Sequence, residues 1–212
     1  MRGSWKALVL ASLAFVLVAL LAGCGNGGAL PATGGVASAS APAQFKVATI
    51  EDHQLRFKVS YPYGWLVSRW RAPAGPRKTG EQLLNMAFAN PKGTVVDGKY
   101  IDGEQLSVFR LNREVKAGAN YPSTARNIVM GNLLPKLHSV QIIKPLQQIS
   151  VHGDPGWRIG YRYHLGSHTV FAESALILKH TYAYWLTGQS DAYAWRTSWP
   201  VLSVVLGAFQ AT

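Results

Sequence analysis

The chain has 212 residues, with 21 Lys plus Arg against 10 Asp plus Glu and a formal charge of +11. At 48% apolar residues it is no disordered polyelectrolyte. Its one cysteine excludes an internal disulfide framework and a Cys-rich zinc module.

Residues 1–23 read as an address. Arg2 and Lys6 precede an uncharged apolar run of 16 residues, 7–22. That is short of the ~20 a helix needs to span a bilayer. A positive start, an apolar middle and small residues at the end form a secretory signal peptide. The run closes on Leu21-Ala22-Gly23-Cys24, which closely resembles the lipobox of bacterial lipoproteins. The resemblance implies cleavage before Cys24 and attachment of acyl chains, palmitate among them, at that residue. An ordinary signal peptide or a membrane anchor, with a chance cysteine, is the plainer alternative. An acylated Cys24 is an anchor rather than a nucleophile or redox group. Two or more chains hold a protein stably, at ~0.8 kcal/mol per buried methylene. Loss of Arg2 and Lys6 leaves 19 basic residues against 10 acidic, or +9.

Residues 24–44 follow as a tether, uncharged and rich in Gly, Ala, Ser and Pro. Such a stretch buries too little surface to offset chain entropy. Its r.m.s. reach is ~25 Å.

Residues 45–212 are long enough for one core. Leu55, Phe57 and Val59 alternate with Arg56 and Lys58, which predicts a strand. Short strands are expected at 65–69, 83–89 and 105–111, with a loop over 95–104. Ser123 can cap a helix whose stripe is Ala125, Ile128, Val129, Leu133 and Leu134, ended by Pro135. Asp154-Pro155-Gly156 suits a type II turn. Trp157, Ile159, Tyr161 and Tyr163 then alternate with Arg158, Gly160, Arg162 and His164. Strands at 168–178 and 181–187 should be joined near Lys179-His180. Ser190 is the expected cap of a last helix over 191–209, with Trp195, Trp199, Leu202 and Leu206 as its stripe and a bend at Pro200. Strand runs separated from helices predict α+β, an antiparallel β-sheet flanked by helices.

The stretch over 55–65, LRFKVSYPYGW, resembles the opening of PsbP-like domains: an apolar strand, Tyr-Pro, two residues and Trp. The order of later elements is similar too, as far as Phe209. This superfamily includes a photosystem II subunit, a nuclear Ran-binding factor and bacterial lipoproteins such as DcrB. The resemblance implies a sheet with helices and a role in binding or assisting other proteins. It implies no particular binding residues. Apart from the family, Pro62 holds Tyr61 extended and Trp65 is expected to anchor the core.

No Gly-x-Ser-x-Gly, His-Glu-x-x-His or phosphate-loop motif is present. The expectation is no enzyme and no cofactor. His164 and His168 flank a short turn and are weak metal candidates; two solvated histidines are the favoured alternative. Arg69, Arg71, Arg77 and Lys78 surround Trp70 and are candidates for contact with an anionic surface, each cation near such a surface contributing ~1 kcal/mol. A solubilising surface is the plainer reading. The leading function is a lipid-anchored binding or assembly module on the extracytoplasmic face of the cell membrane. Its expected partners are the membrane, through the lipid, and an envelope protein. The alternative is a small-ligand or metal-binding lipoprotein, and an envelope hydrolase ranks third. The signal peptide argues against nucleic acid as a partner.

Overall fold

The computed structural model describes residues 46–76, 80–115 and 139–212. The signal peptide, Cys24, the tether, Arg77, Lys78 and the helix expected after Ser123 lie outside the described residues.

Two antiparallel sheets carry the fold. The smaller holds β1 (Val47–Asp52), β2 (Phe57–Pro62) and β11 (Gln210–Ala211), in the order β1-β2-β11. The larger comprises β3 (Leu66–Arg71), β4 (Gln82–Ala89), β7 (Gly103–Val115), β8 (Gln141–Val151), β9 (Asp154–Leu165) and β10 (His168–Asp191). Its order is β3-β4-β7-β10-β9-β8. A small hairpin, β5 (Val95–Val96) with β6 (Lys99–Tyr100), sits between β4 and β7. One helix, α1 (Trp195–Ala208), is present among the described residues. The expected sheet flanked by helices is therefore corrected to antiparallel sheets with a single described helix.

The 24-residue β10 folds back on itself. The backbone N–H of Ala192 donates to the Thr169 carbonyl at 2.8 Å, and Ser174 Oγ meets Thr187 Oγ1 at 2.8 Å. Both contacts place the reversal at Lys179-His180, where the sequence expected a join, and His180 takes φ 52° there. One half pairs with β9 through residues 168–177 and the other with β7 through residues 180–189.

Strand periodicity gives the large sheet two faces. The first presents Leu84, Met86, Phe88, Leu106, Val108, Ile177, Tyr184 and Leu186. These pack with Phe57 and Val59 of the small sheet and with Val205 and Phe209. The second presents Phe109, Trp157, Ile159, Tyr161, Tyr163, Val170, Leu176 and Trp185. The aromatic row of β9 is thus buried as its alternation predicts, with Arg158 and His164 on the other face.

Three local expectations fail for identifiable reasons. The turn before β9 is at His152-Gly153, with φ of 50° and 87°, not at Asp154-Pro155-Gly156. Val151 pairs with Asp154, so Pro155 and Gly156 already lie in the strand. The loop expected over 95–104 contains a hairpin on Asp97-Gly98, both at positive φ. Asp-Gly fits such a turn because the pair tolerates left-handed backbone. Ser190 does not cap α1; it is fully buried, and its Oγ donates to Asp102 Oδ1 at 2.6 Å. The strand runs on to Asp191, and the helix begins four residues later.

Candidate functional site

The second face of the large sheet is filled at β9 and hollow toward β4. Small and polar residues replace bulky ones there, namely Ser68, Asn85, Ala87, Ala89, Gly103 and Gln105. They floor a cavity of about 350 Å³, walled by Tyr163 and Leu165 and edged by Lys99 and Tyr100. Gly103 is required by close packing: a Cβ there would lie 2.4 Å from the Phe88 carbonyl oxygen. The β5–β6 hairpin is held over this region by Asp102. The carboxylate of Asp102 accepts from Thr94 N at 2.7 Å, Asp191 N at 2.8 Å and the Ser190 hydroxyl.

Polar side chains cross this face in a connected row. Gln105 Nε2 donates to Asn85 Oδ1 at 2.7 Å, Ser107 Oγ donates to the same oxygen at 3.1 Å, and Gln82 Nε2 donates to Ser107 Oγ at 3.2 Å. Farther along, Trp185 Nε1 donates to Thr187 Oγ1 and Tyr163 OH donates to Gln189 Oε1. These bonds hold the amides in fixed orientations beside apolar walls, an arrangement typical of a ligand or side-chain pocket. Burial pushes the pKa of the Tyr163 hydroxyl up, helped by neighbouring Tyr161, so it is a neutral donor. Burial likewise raises Tyr161, partly offset by hydrogen bonds with Ser174 and Thr187. Glu104 projects to the opposite face, as its pairing with Phe88 and Gly188 requires. Desolvation lifts its carboxyl well above the usual range, and its Oε1 has no hydrogen-bond partner among the described residues.

The rim of the cavity is edge strand β3. Leu66 and Trp70 stand on the same face as Ser68 and are 48% and 41% exposed. On the other face, Arg69 and Arg71 both reach the Asp52 carboxylate, Arg69 Nη2 at 2.6 Å. Arg71 also donates to Gln54 Oε1 at 2.6 Å. The second carboxylate oxygen of Asp52 accepts from Gln54 N and Leu55 N, closing the turn after β1. Two of the four residues proposed for an anionic surface are therefore engaged with a single buried carboxylate.

The two candidate histidines do not converge. Leu165 pairs with His168 and His164 with Thr169, so the imidazoles leave opposite faces of the sheet. His168 Nδ1 donates to Asp191 Oδ2 at 2.6 Å, while His164 Nδ1 lies 3.4 Å from Thr169 Oγ1. Among the described residues no three His, Cys, Asp or Glu side chains could hold a metal ion. Of the basic face of β9, Arg158 lies 3.2 Å from buried Glu173, which also receives Lys144 at 2.8 Å. Arg162 donates to Gln141.

Sequence reasoning missed the cavity floor. The available signal was polar Gln105 and Ser107 at alternate positions on the face that then carries Phe109. Asn85 is the matching break in β4.

No protein-family model matches the chain, and no curated protein matches it. Among solved structures it is similar to cyanobacterial PsbP (CyanoP) from Synechocystis sp. PCC 6803. The identity is 13% over 84% of this chain and 98% of that one, with a TM-score of 0.49. It is also similar to LpqN of Mycobacterium tuberculosis, described as involved in cell envelope biogenesis. There the identity is 11% over 78% of this chain and 90% of that one, with a TM-score of 0.47. A Pseudomonas aeruginosa protein of unknown function, PA94, aligns at 11% identity over 76% and 94%, with a TM-score of 0.42. A PsbP-like structure thus stands among the neighbours. With each of these TM-scores below 0.5, they assign neither site nor partner.

Proposed function

We propose that the protein is a non-catalytic binding module of the cell envelope, anchored by acylated Cys24 at the extracytoplasmic face of a membrane. The lipobox supports the anchor and the tether supports presentation away from the bilayer. The observation that carries the binding role is the cavity of about 350 Å³ beside the exposed Leu66–Trp70 rim. An apolar anchor from an envelope protein would fill it, with the Asn85 and Gln105 amides meeting its polar atoms. Deeply seated anchors of this kind dominate protein interfaces.

Two experiments test the reading. Growth with an alkyne-bearing palmitate analogue labels the wild-type chain, and Cys24→Ala stays unlabelled. Affinity capture from crosslinked membranes recovers a reproducible partner with wild type and loses it with Ala87→Phe, which puts a ring into the cavity. Capture of no partner, or equal capture by both chains, counts against the proposal.

The cavity volume also favours a second reading, a small apolar ligand with one or two polar groups, since such sites begin near ~300 Å³. A saturable, ligand-dependent rise in melting temperature that Ala87→Phe abolishes would select it.

A further inference from the structure

We infer that β3 is a docking edge for an extended segment of a partner protein in which apolar and acidic residues alternate; this rests on the binding-module reading above.

The two edges of the large sheet are unlike. At β8 the pairing with β9 breaks register twice, between Ile142 and Lys144 and between Lys144 and Gln147, and Pro145 lies in the second break. Breaks of this kind and a proline guard an edge against added strands. At β3 six consecutive residues pair with β4 without a break. There is no proline, and every residue from Leu66 to Trp70 is exposed.

The register shows which backbone groups face outward. Ala72 N donates to the Leu83 carbonyl at 3.0 Å, which makes that position a hydrogen-bonded pair. Antiparallel pairs alternate between bonded and non-bonded. The amides and carbonyls of Trp70, Ser68 and Leu66 therefore turn toward β4. Those of Val67, Arg69 and Arg71 turn away from the sheet, where an incoming strand would meet them.

Side chains on the two faces set the chemistry of that strand. One face offers Leu66 and Trp70 around Ser68 at the mouth of the cavity, so alternate partner residues should be apolar. The other face offers Arg69 and Arg71. These two guanidinium groups share the one carboxylate of Asp52, leaving a local surplus of one positive charge. The side chains of Arg69 and Arg71 remain 41% and 33% exposed. An acidic side chain opposite them balances the surplus with charge-assisted hydrogen bonds. A second copy of this chain fits poorly, because β3 against β3 brings four arginines together; like charges directly opposite destabilise a strand pair.

The test uses the full chain and a capped octapeptide alternating Val and Glu, with its Val/Lys counterpart as control. The Val/Glu peptide should bind saturably and slow hydrogen exchange at the amides of Val67, Arg69 and Arg71, leaving Ser68 and Trp70 unchanged. The Val/Lys peptide should bind about tenfold more weakly or not at all. Val67→Pro deletes one outward donor without touching the β4 ladder, and should lower affinity by about tenfold at an unchanged melting temperature. No saturable binding up to millimolar peptide overturns the inference. So does protection at other amides, equal binding of the Lys peptide, or unchanged binding by Val67→Pro. If wild type and Val67→Pro capture the same membrane partner equally, the edge is wrong and the binding module stands. Capture of nothing by wild type is a failure of the binding module itself.

Discussion

Replacing Asp52 with alanine should cost more than removing an ordinary surface ion pair, and the structure indicates how the loss divides. Asp52 is 5% exposed and accepts four bonds, from Gln54 N, Leu55 N, Arg69 and Arg71. The N–H of exposed Gln54 regains water when the carboxylate goes. The N–H of buried Leu55 does not, and one stranded buried donor costs ~1–3 kcal/mol. The guanidinium groups are partly exposed, so each pairing is discounted to ~0.5–1 kcal/mol. The expected total is about 3 kcal/mol, partly through Arg69 and Arg71 facing each other without a counter-charge. Asn at this position keeps an oxygen for both backbone donors and should lose only about 1–2 kcal/mol. Urea unfolding reads these values through the fluorescence of buried Trp157 and Trp185. The reasoning is refuted if Asp52→Asn is as damaging as Asp52→Ala, since the backbone bonds would then not matter. It is equally refuted if high salt restores the alanine variant, because a buried hydrogen bond is not screened.

Other outcomes follow from single contacts. Tyr184→Phe removes a fully buried hydroxyl that donates to the carbonyls of Leu55 at 2.9 Å and Arg56 at 3.0 Å, and should lower stability by about 1–1.5 kcal/mol in the same assay. Gly103→Ala drives a Cβ against the Phe88 carbonyl and should cost about 2–3 kcal/mol. Gly160→Ala meets the flexible Lys144 side chain first, its three nearest atoms at 3.0–3.2 Å, and should cost about 1 kcal/mol; equal melting temperatures for the two variants would contradict the difference in packing. Glu104 has a folded-state pKa raised by burial above its unfolded value. Below the usual carboxylate pKa both states are protonated and nothing is lost. As pH rises past it the unfolded chain ionises first, and stability falls. Glu104→Gln abolishes that fall, so its stability relative to wild type should grow from pH 4.5 to pH 7.5, roughly the usual carboxylate value to neutrality. An offset independent of pH, measured by urea unfolding, would show that Glu104 is not the titrating group.

Strands with one covered face were legible in the sequence because burial leaves a period of two. Trp157, Ile159, Tyr161 and Tyr163 gave β9, and Phe57 and Val59 gave the start of β2, whereas Leu55 and Arg56, expected in the same strand, lie in the turn before it. β8 was not legible: its residues are mostly exposed and its register breaks twice, so no alternation survives. β11 is two residues long and is strand only because β2 lies beside it. Turn placement failed where two candidates adjoined. His152-Gly153 and Asp154-Pro155-Gly156 both carry turn chemistry, and the pairing of Val151 with Asp154 decides between them. The cavity was illegible for a different reason. A hollow arises from small residues on neighbouring strands, Ala87 beside Gln105 and Ser68 beside Ala87, and only the register brings them together.

Part of the excess of basic residues also acquires a location. Three carboxylates on or under the first face, Asp52, Glu173 and Asp154, receive five cations between them: Arg69 and Arg71, Lys144 and Arg158, and Lys179. Asp52 and Glu173 each hold two, so a local surplus of one charge remains at both. At Glu173 that surplus is partly absorbed, because Lys144 Nζ sits 5.0 Å above the Trp199 ring and a cation is favourable over an aromatic face. At Asp52 the surplus sits on an edge strand whose outer side pairs with no strand among the described residues. A diffuse basic surface attracts any polyanion and loses it steadily as salt rises. A surplus held at one register position beside outward amides selects for an acidic residue in an extended chain. Salt should then weaken the encounter more than the bound state. The off-rate of the Val/Glu peptide at low and high ionic strength separates the two kinds of attraction, since rim charge acts chiefly on association and a desolvated pair on dissociation.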